Sequence, residues 1–151
     1  MRFLKFVPPF MVASIALWAA DPFLGRWKLN VEKSDFGNMP KAKNGSTTYE
    51  ADGTGYLCTA EIVFWKEDEV ARLQGPVEFN GTAHEGHVDQ HMVTFLSKRI
   101  NDNSYEVVFS DKQTRQVVER FRYTVTGNEL TWNWFNGGDQ QPAITLVYDK
   151  Q

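Results

Sequence analysis

The stretch Phe23-Leu24-Gly25-Arg26-Trp27-Lys28-Leu29-Asn30 decides how the rest of the chain is read. Trp27, Leu29 and Val31 share one parity, and Arg26, Lys28 and Asn30 the other. That is the period-two pattern of a strand with one buried and one wet face. A Gly-x-Trp, Gly25 and Trp27, stands at its opening. The alternation recurs to the end of the chain, and helical periodicity is nowhere sustained.

Further strands are expected at 47–51, 55–65, 70–79, 91–100, 104–110, 115–126, 129–135 and 143–149. Turn chemistry separates them: Asp52-Gly53-Thr54-Gly55, Asn80-Gly81, Asn101-Asp102-Asn103 and Gly137-Gly138, with Gly127-Asn128 the strongest hairpin signal. The segment 34–46 carries Gly37, Pro40 and Gly45 and reads as a loop folded over one end. About eight or nine short strands with tight turns and no crossover helix predict an all-β chain, a single up-and-down antiparallel β-barrel whose closure removes exposed sheet edges.

The same parity sorts residues by face. Tyr56, Cys58, Ala60, Ile62 and Phe64 point inward, as do Tyr105, Val107 and Phe109, then Phe121, Tyr123 and Val125. Leu130, Trp132 and Trp134, followed by Ile144, Leu146 and Tyr148, complete the interior. A barrel of about eight strands is either just filled by such side chains or holds one small ligand, and parity alone leaves both open.

The chain has 151 residues, enough for one domain. Its start differs from the rest. Arg2 and Lys5 are followed by an uncharged run from Phe6 to Ala20, too short for a comfortable membrane span and ending in small residues before Asp21-Pro22. A signal peptide over 1–20 is expected, cut after Ala20 or, nearly as well, after Ala19, with a barrel domain over 21–151 and a periplasmic or secreted product. Removing it takes the formal charge from −3 to −5, because it carries two cations and no acid. An acidic chain without a basic run is a poor candidate for phosphate-backbone binding, so no nucleic-acid partner is expected. Cys58 is the one cysteine, so no internal disulfide forms and the core must hold the fold.

Gly25-Arg26-Trp27 resembles the Gly-x-Trp that opens the first strand of lipocalins. The wider run 23–30, with Lys33-Ser34-Asp35-Phe36, is similar to small secreted bacterial lipocalin-like proteins of the calycin type. Weaker similarity continues at Ser97-Lys98-Arg99-Ile100, Gly127-Asn128-Glu129-Leu130-Thr131 and Leu146-Val147-Tyr148-Asp149-Lys150. The resemblance implies a barrel carrying a small hydrophobic molecule, with Trp27 across the closed end under a cation from Lys98, Arg99 or Arg122. The Thr-Asp-Tyr turn of typical lipocalins is absent. So is the late Arg-x-Tyr that fatty-acid-binding proteins use on a carboxylate, and no carboxylate site carries over.

Tyr56, Trp65, Phe95, Tyr123, Trp132 and Trp134 are the expected pocket lining, since aromatic walls hold flat or chain-like apolar ligands. Gly25, Trp27 and Arg99 are read as structural. The segment 84–91 holds all three histidines. If its end is extended, His87, Asp89 and His91 project to one side, and with His84 they are a candidate metal set, or one His a haem ligand. Its flanking Gly81 and Gly86 suit a solvated loop instead. Glu119 shares the inward parity of Phe121, so an enzyme using Glu119 with Tyr105 or Tyr123 for proton transfer is an alternative, and a filled barrel acting as an envelope interaction module is another. The leading expectation is a non-enzymatic carrier of a lipid-like molecule without a cofactor.

Overall fold

A computed structural model describes residues 20–88 and 91–151. Apart from Ala20, the expected signal segment lies outside them. Ten strands run in sequence: β1 (Gly25–Leu29), β2 (Ala42–Asp52), β3 (Gly55–Phe64), β4 (Val70–Val77), β5 (His84–Val88), β6 (His91–Asn101), β7 (Ser104–Asp111), β8 (Val117–Thr126), β9 (Glu129–Asn136) and β10 (Ile144–Lys150). They form one antiparallel up-and-down sheet in the order β4-β3-β2-β1-β10-β9-β8-β7-β6-β5, curled into a half-barrel, with no helix among the described residues. Every ladder joins chain neighbours except β1 with β10, where Trp27 pairs with Lys150 and Leu29 with Tyr148.

Three expectations need correction. The segment after Ala83, read as a loop, is a strand: β5 pairs with β6 from His84↔Phe95 to Val88↔His91. Its inward positions include His84 and Gly86, so too few apolar residues mark the alternation. The N-terminal part of β2, 42–46, was likewise expected to be loop, and a register shift between Ala42 and Asn44 accommodates it. Finally, no ladder joins β4 to β5, so the hydrogen-bonded sheet keeps two edges instead of closing. Pro76 in β4 has no N–H to donate, which suits that strand to an edge.

At one end, aromatic side chains fill the interior. Phe23 is fully buried, its ring 5.1–5.6 Å from those of Tyr49, Tyr56 and Tyr105. Trp27 is also fully buried, and its indole Nε1 donates to the Phe23 carbonyl at 2.9 Å. The cation over its ring is Lys150, 4.4 Å from the centroid, and not Lys98, Arg99 or Arg122 as expected. Cross-strand register explains this, since Lys150 stands opposite Trp27. Its ammonium also donates to the Leu24 carbonyl. Arg122 instead pairs with Glu106 at 2.9 Å.

At the other end, the segment 30–41 is strapped to β10. Asp35 and Thr145 exchange backbone hydrogen bonds of 2.7 and 2.8 Å, and Ser34 Oγ accepts from the Val147 amide. Gly37 adopts φ +52°, and a Cβ there would lie 2.3 Å from the Ala143 carbonyl oxygen, so the strap sits close only because this residue has no side chain.

Candidate functional site

Between these ends the half-barrel is hollow. A cavity lobe of about 380 Å³ lies against β4, β5, β6 and β7, lined by Val77, His84, Phe95, Ser97, Val107 and Phe109 among others. A second lobe of about 170 Å³ lies toward β9 and β10, lined by Thr47, Ala60, Ile62, Trp132, Leu146 and Tyr148. Cys58, Leu73, Phe121 and Tyr123 belong to both. The inward parity of β3, β7, β8, β9 and β10 puts these residues there, as the sequence pattern predicts.

Of the expected lining residues, Phe95, Tyr123 and Trp132 face the cavity. Tyr56 has the expected face but lies in the filled end, where it is buried among Phe23, Tyr49 and Phe79. Its hydroxyl donates to Asp21 Oδ2 at 2.6 Å and accepts from Arg99 Nη2 at 2.8 Å. Burial is the largest influence on that phenol and pushes it up to about 12. Trp65 follows the last residue of β3 and is 64% exposed, with the Lys43 ammonium 5.6 Å from its ring. Trp134 packs against the core outside both lobes, and its Nε1 donates to Glu119 Oε2 at 2.9 Å. Gly25 opens β1 at φ +115°. Arg99 holds its guanidinium 4.3 Å from the Phe79 ring and lines neither lobe.

Missed by the sequence reading were Leu73, the lining from β4 and the role of His84. Leu73 borders both lobes yet is 60% exposed, because β4 is an edge. His84 stacks on Phe95 at 5.4 Å, and its Nε2 lies 3.1 Å from Glu78 Oε2. Asp89 and the side chains of His87 and His91 lie outside the described residues, and no metal-ligating cluster occurs among the described ones.

The polar groups nearby are satisfied in pairs. Thr47 Oγ1 and Cys58 Sγ are 3.6 Å apart, and the hydroxyls of Tyr49 and Tyr105 share a 2.8 Å hydrogen bond. Every buried side-chain nitrogen or oxygen among the described residues has a partner. Burial raises the Tyr105 and Tyr123 phenols, and the Cys58 thiol with them, so all three hold their protons at neutral pH. Proton transfer by Glu119 with Tyr105 finds each group committed elsewhere, Glu119 to Trp134 and Tyr105 to Tyr49. What the site offers chemically is an apolar, low-dielectric space.

Solved structures with the same architecture are numerous. A Schistosoma mansoni fatty acid binding protein, solved with arachidonic acid, superposes with a TM-score of 0.62 at 16% identity, over 86% of this chain and 96% of that one. The fold is that of the fatty-acid-binding proteins. Secretory abundant heat soluble protein 4 of Ramazzottius varieornatus gives 0.60 at 14% identity, over 89% and 98% of the two chains. Lipid binding protein 8 of Caenorhabditis elegans gives 0.59 at 13%, over 90% and 100%. Identities this low speak to the calycin fold alone. No family model matches the chain, and no curated protein matches it.

Proposed function

We propose that this chain is a periplasmic or extracellular carrier that holds one small hydrophobic molecule in the two-lobed cavity, without catalysing a reaction on it. The observation that carries this is the apolar lining itself, from Leu73 and Ile62 across to Phe95, Phe121 and Trp132, in a space whose larger lobe alone is about 380 Å³. That volume lies in the range of small-ligand pockets. The lipid-binding neighbours support the reading, since one of them is solved in complex with arachidonic acid. The leading segment supports the location: 1–20 serves as a signal peptide, leaving 21–151 as a lipocalin-like domain of the secreted bacterial kind.

Native mass spectrometry of the chain purified from its own kind of host, with lipid extraction of the same sample, tests the proposal. A retained organic mass is expected. A bare chain that also takes up no apolar fluorescent probe overturns it. Trp132→Ala should weaken probe binding at least fivefold, about the loss of one well-placed aromatic contact, whereas Thr131→Ala on the opposite face should leave it unchanged. Equal effects would mean that the probe does not bind in the cavity.

A further inference from the structure

One inner wall of the cavity is paved with rings. His84 stacks on Phe95 at 5.4 Å between ring centroids, Phe95 on Phe109 at 5.4 Å, Phe109 meets Phe121 edge-on at 5.0 Å, and Phe121 meets Trp132 at 5.2 Å. These five residues stand on five successive strands, β5 to β9: His84, Phe95 and Phe109 are direct cross-strand partners, and the band then runs obliquely, stepping two residues along the strands at Phe121 and again at Trp132. It runs through both lobes: the first four residues line the larger, and Phe121 and Trp132 the smaller. Facing positions on β3 and β4 are short or aliphatic, including Cys58, Ala60, Ile62 and Leu73. The space is therefore a slot with a polarisable wall and an aliphatic one.

Its charge is equally one-sided. Among the described residues only Arg72 and His84 bring cationic capacity to the lining. Arg72 is mostly solvent-exposed and its Nε donates to Glu61 at 2.7 Å. His84 has the Glu78 carboxylate beside it at 3.1 Å, which repels a second anion. Arg99 does not line either lobe, and its guanidinium is engaged by the Phe79 ring at 4.3 Å and the Tyr56 hydroxyl at 2.8 Å. A carboxylate drawn into this space would lose its hydration without gaining an ion pair, which is strongly unfavourable.

Resting on the carrier reading above, we propose that the cargo is an uncharged, elongated molecule with a conjugated or ring-bearing body, laid along the band from Trp132 to His84. Ring-on-ring contact rewards a flat π-system over a saturated chain of equal area. A hydroxyl or carbonyl at one end finds hydrogen-bonding capacity at Ser97 and His84.

The test uses three probes on the purified chain at neutral pH: diphenylhexatriene, its carboxylated propionic acid derivative, and octadecanol. Fluorescence titration should show the uncharged polyene binding at least about tenfold more tightly than the carboxylated one, the difference reflecting an unpaired buried charge. Equal or tighter binding of the carboxylate overturns the proposal. Phe95→Leu and Phe109→Leu keep the wall apolar and remove its rings. Each should weaken diphenylhexatriene roughly threefold or more while leaving octadecanol retention, read by native mass spectrometry, unchanged. Equal loss of both ligands, or loss of neither, overturns the ring-bearing body. Should a leucine variant fail to fold by near-ultraviolet circular dichroism, direct competition of octadecanol against the polyene on the parent chain decides the same point, the polyene being expected to win. A chain that retains octadecanol and ignores diphenylhexatriene overturns this inference and leaves the carrier standing. Retention of none of the three overturns both.

Discussion

At Trp27, full burial, an indole N–H satisfied by the Phe23 carbonyl and the Lys150 ammonium over the ring coincide. None of these contacts touches the cavity. Trp27→Ala should therefore destabilise the fold by about 3–5 kcal/mol, as truncation of a large core aromatic does, while the fraction that stays folded keeps its ligand affinity. Urea denaturation and probe titration of the same sample check both halves. Tyr49 and Tyr105 make a sharper case. Each is fully enclosed, and their hydroxyls satisfy one another. Tyr49→Phe leaves the Tyr105 hydroxyl without its partner and should cost about 1–3 kcal/mol, Tyr105→Phe should cost less because the Tyr49 hydroxyl keeps Cys58 Sγ, and the double variant should cost clearly less than the two added together. A double-mutant cycle reads the coupling directly. At this scale the sequence told faces and not heights. Parity placed Tyr123 and Trp132 inward, but Tyr56, with the same parity, lies at the filled end because alternation carries no information on position along the barrel axis. Trp65 was misjudged because the alternation was extended past Phe64, where the strand stops. The cation over Trp27 was out of reach of local reasoning, since Lys150 arrives from the far end of the chain.

The hairpins show what an element can tolerate. Gly55 opens β3, and a Cβ built there lies 1.9 Å from the Val77 carbonyl oxygen, a backbone atom of the neighbouring strand. Gly55→Ala should force β4 away from β3 and destabilise by about 1–3 kcal/mol. Gly75, near the end of the same edge strand, has nothing within 4 Å of a built Cβ, so Gly75→Ala should stay within about 0.5 kcal/mol of the parent. Thermal melts of the two variants side by side test the contrast. Most strands were legible because their buried face is apolar at every second position; Gly127-Asn128 also sits where predicted, with Thr126 opposite Glu129 across the turn and Gly127 at φ +59°. β5 was not legible, because a strand whose inner face reads His84 and Gly86 looks polar from sequence and is recognised only by its pairing with β6. The open side between β4 and β5 follows from pairing as well, although Pro76 was a usable hint.

The molecule as a whole carries five tyrosines, and burial is the largest influence raising every one of them. A phenol whose value is raised on folding keeps its proton longer in the native state than in the unfolded one. The stabilisation is fully present below the ordinary value of 10 and is lost as pH climbs above it toward the raised native values, about 12 for Tyr56. Alkaline titration should therefore show little tyrosinate absorbance until the fold gives way, and then a cooperative rise in step with loss of circular dichroism. A gradual rise near pH 10 in a folded sample would contradict the burial described for these side chains.

The pairing of β1 with β10 closes the chain upon itself in the middle of the sheet, and the sheet is interrupted between β4 and β5. Spatial order and chain order are thus the same circle cut at different points. The Gln151 amide already bonds to the Arg26 carbonyl, so a short Gly-Ser linker from Gln151 to Asp21, with new termini opened between Glu78 and Ala83, would yield a permutant in which every paired strand is adjacent in the chain. That rearrangement lowers contact order without changing a single interstrand hydrogen bond, and the permutant should refold faster than the parent while retaining the same cavity.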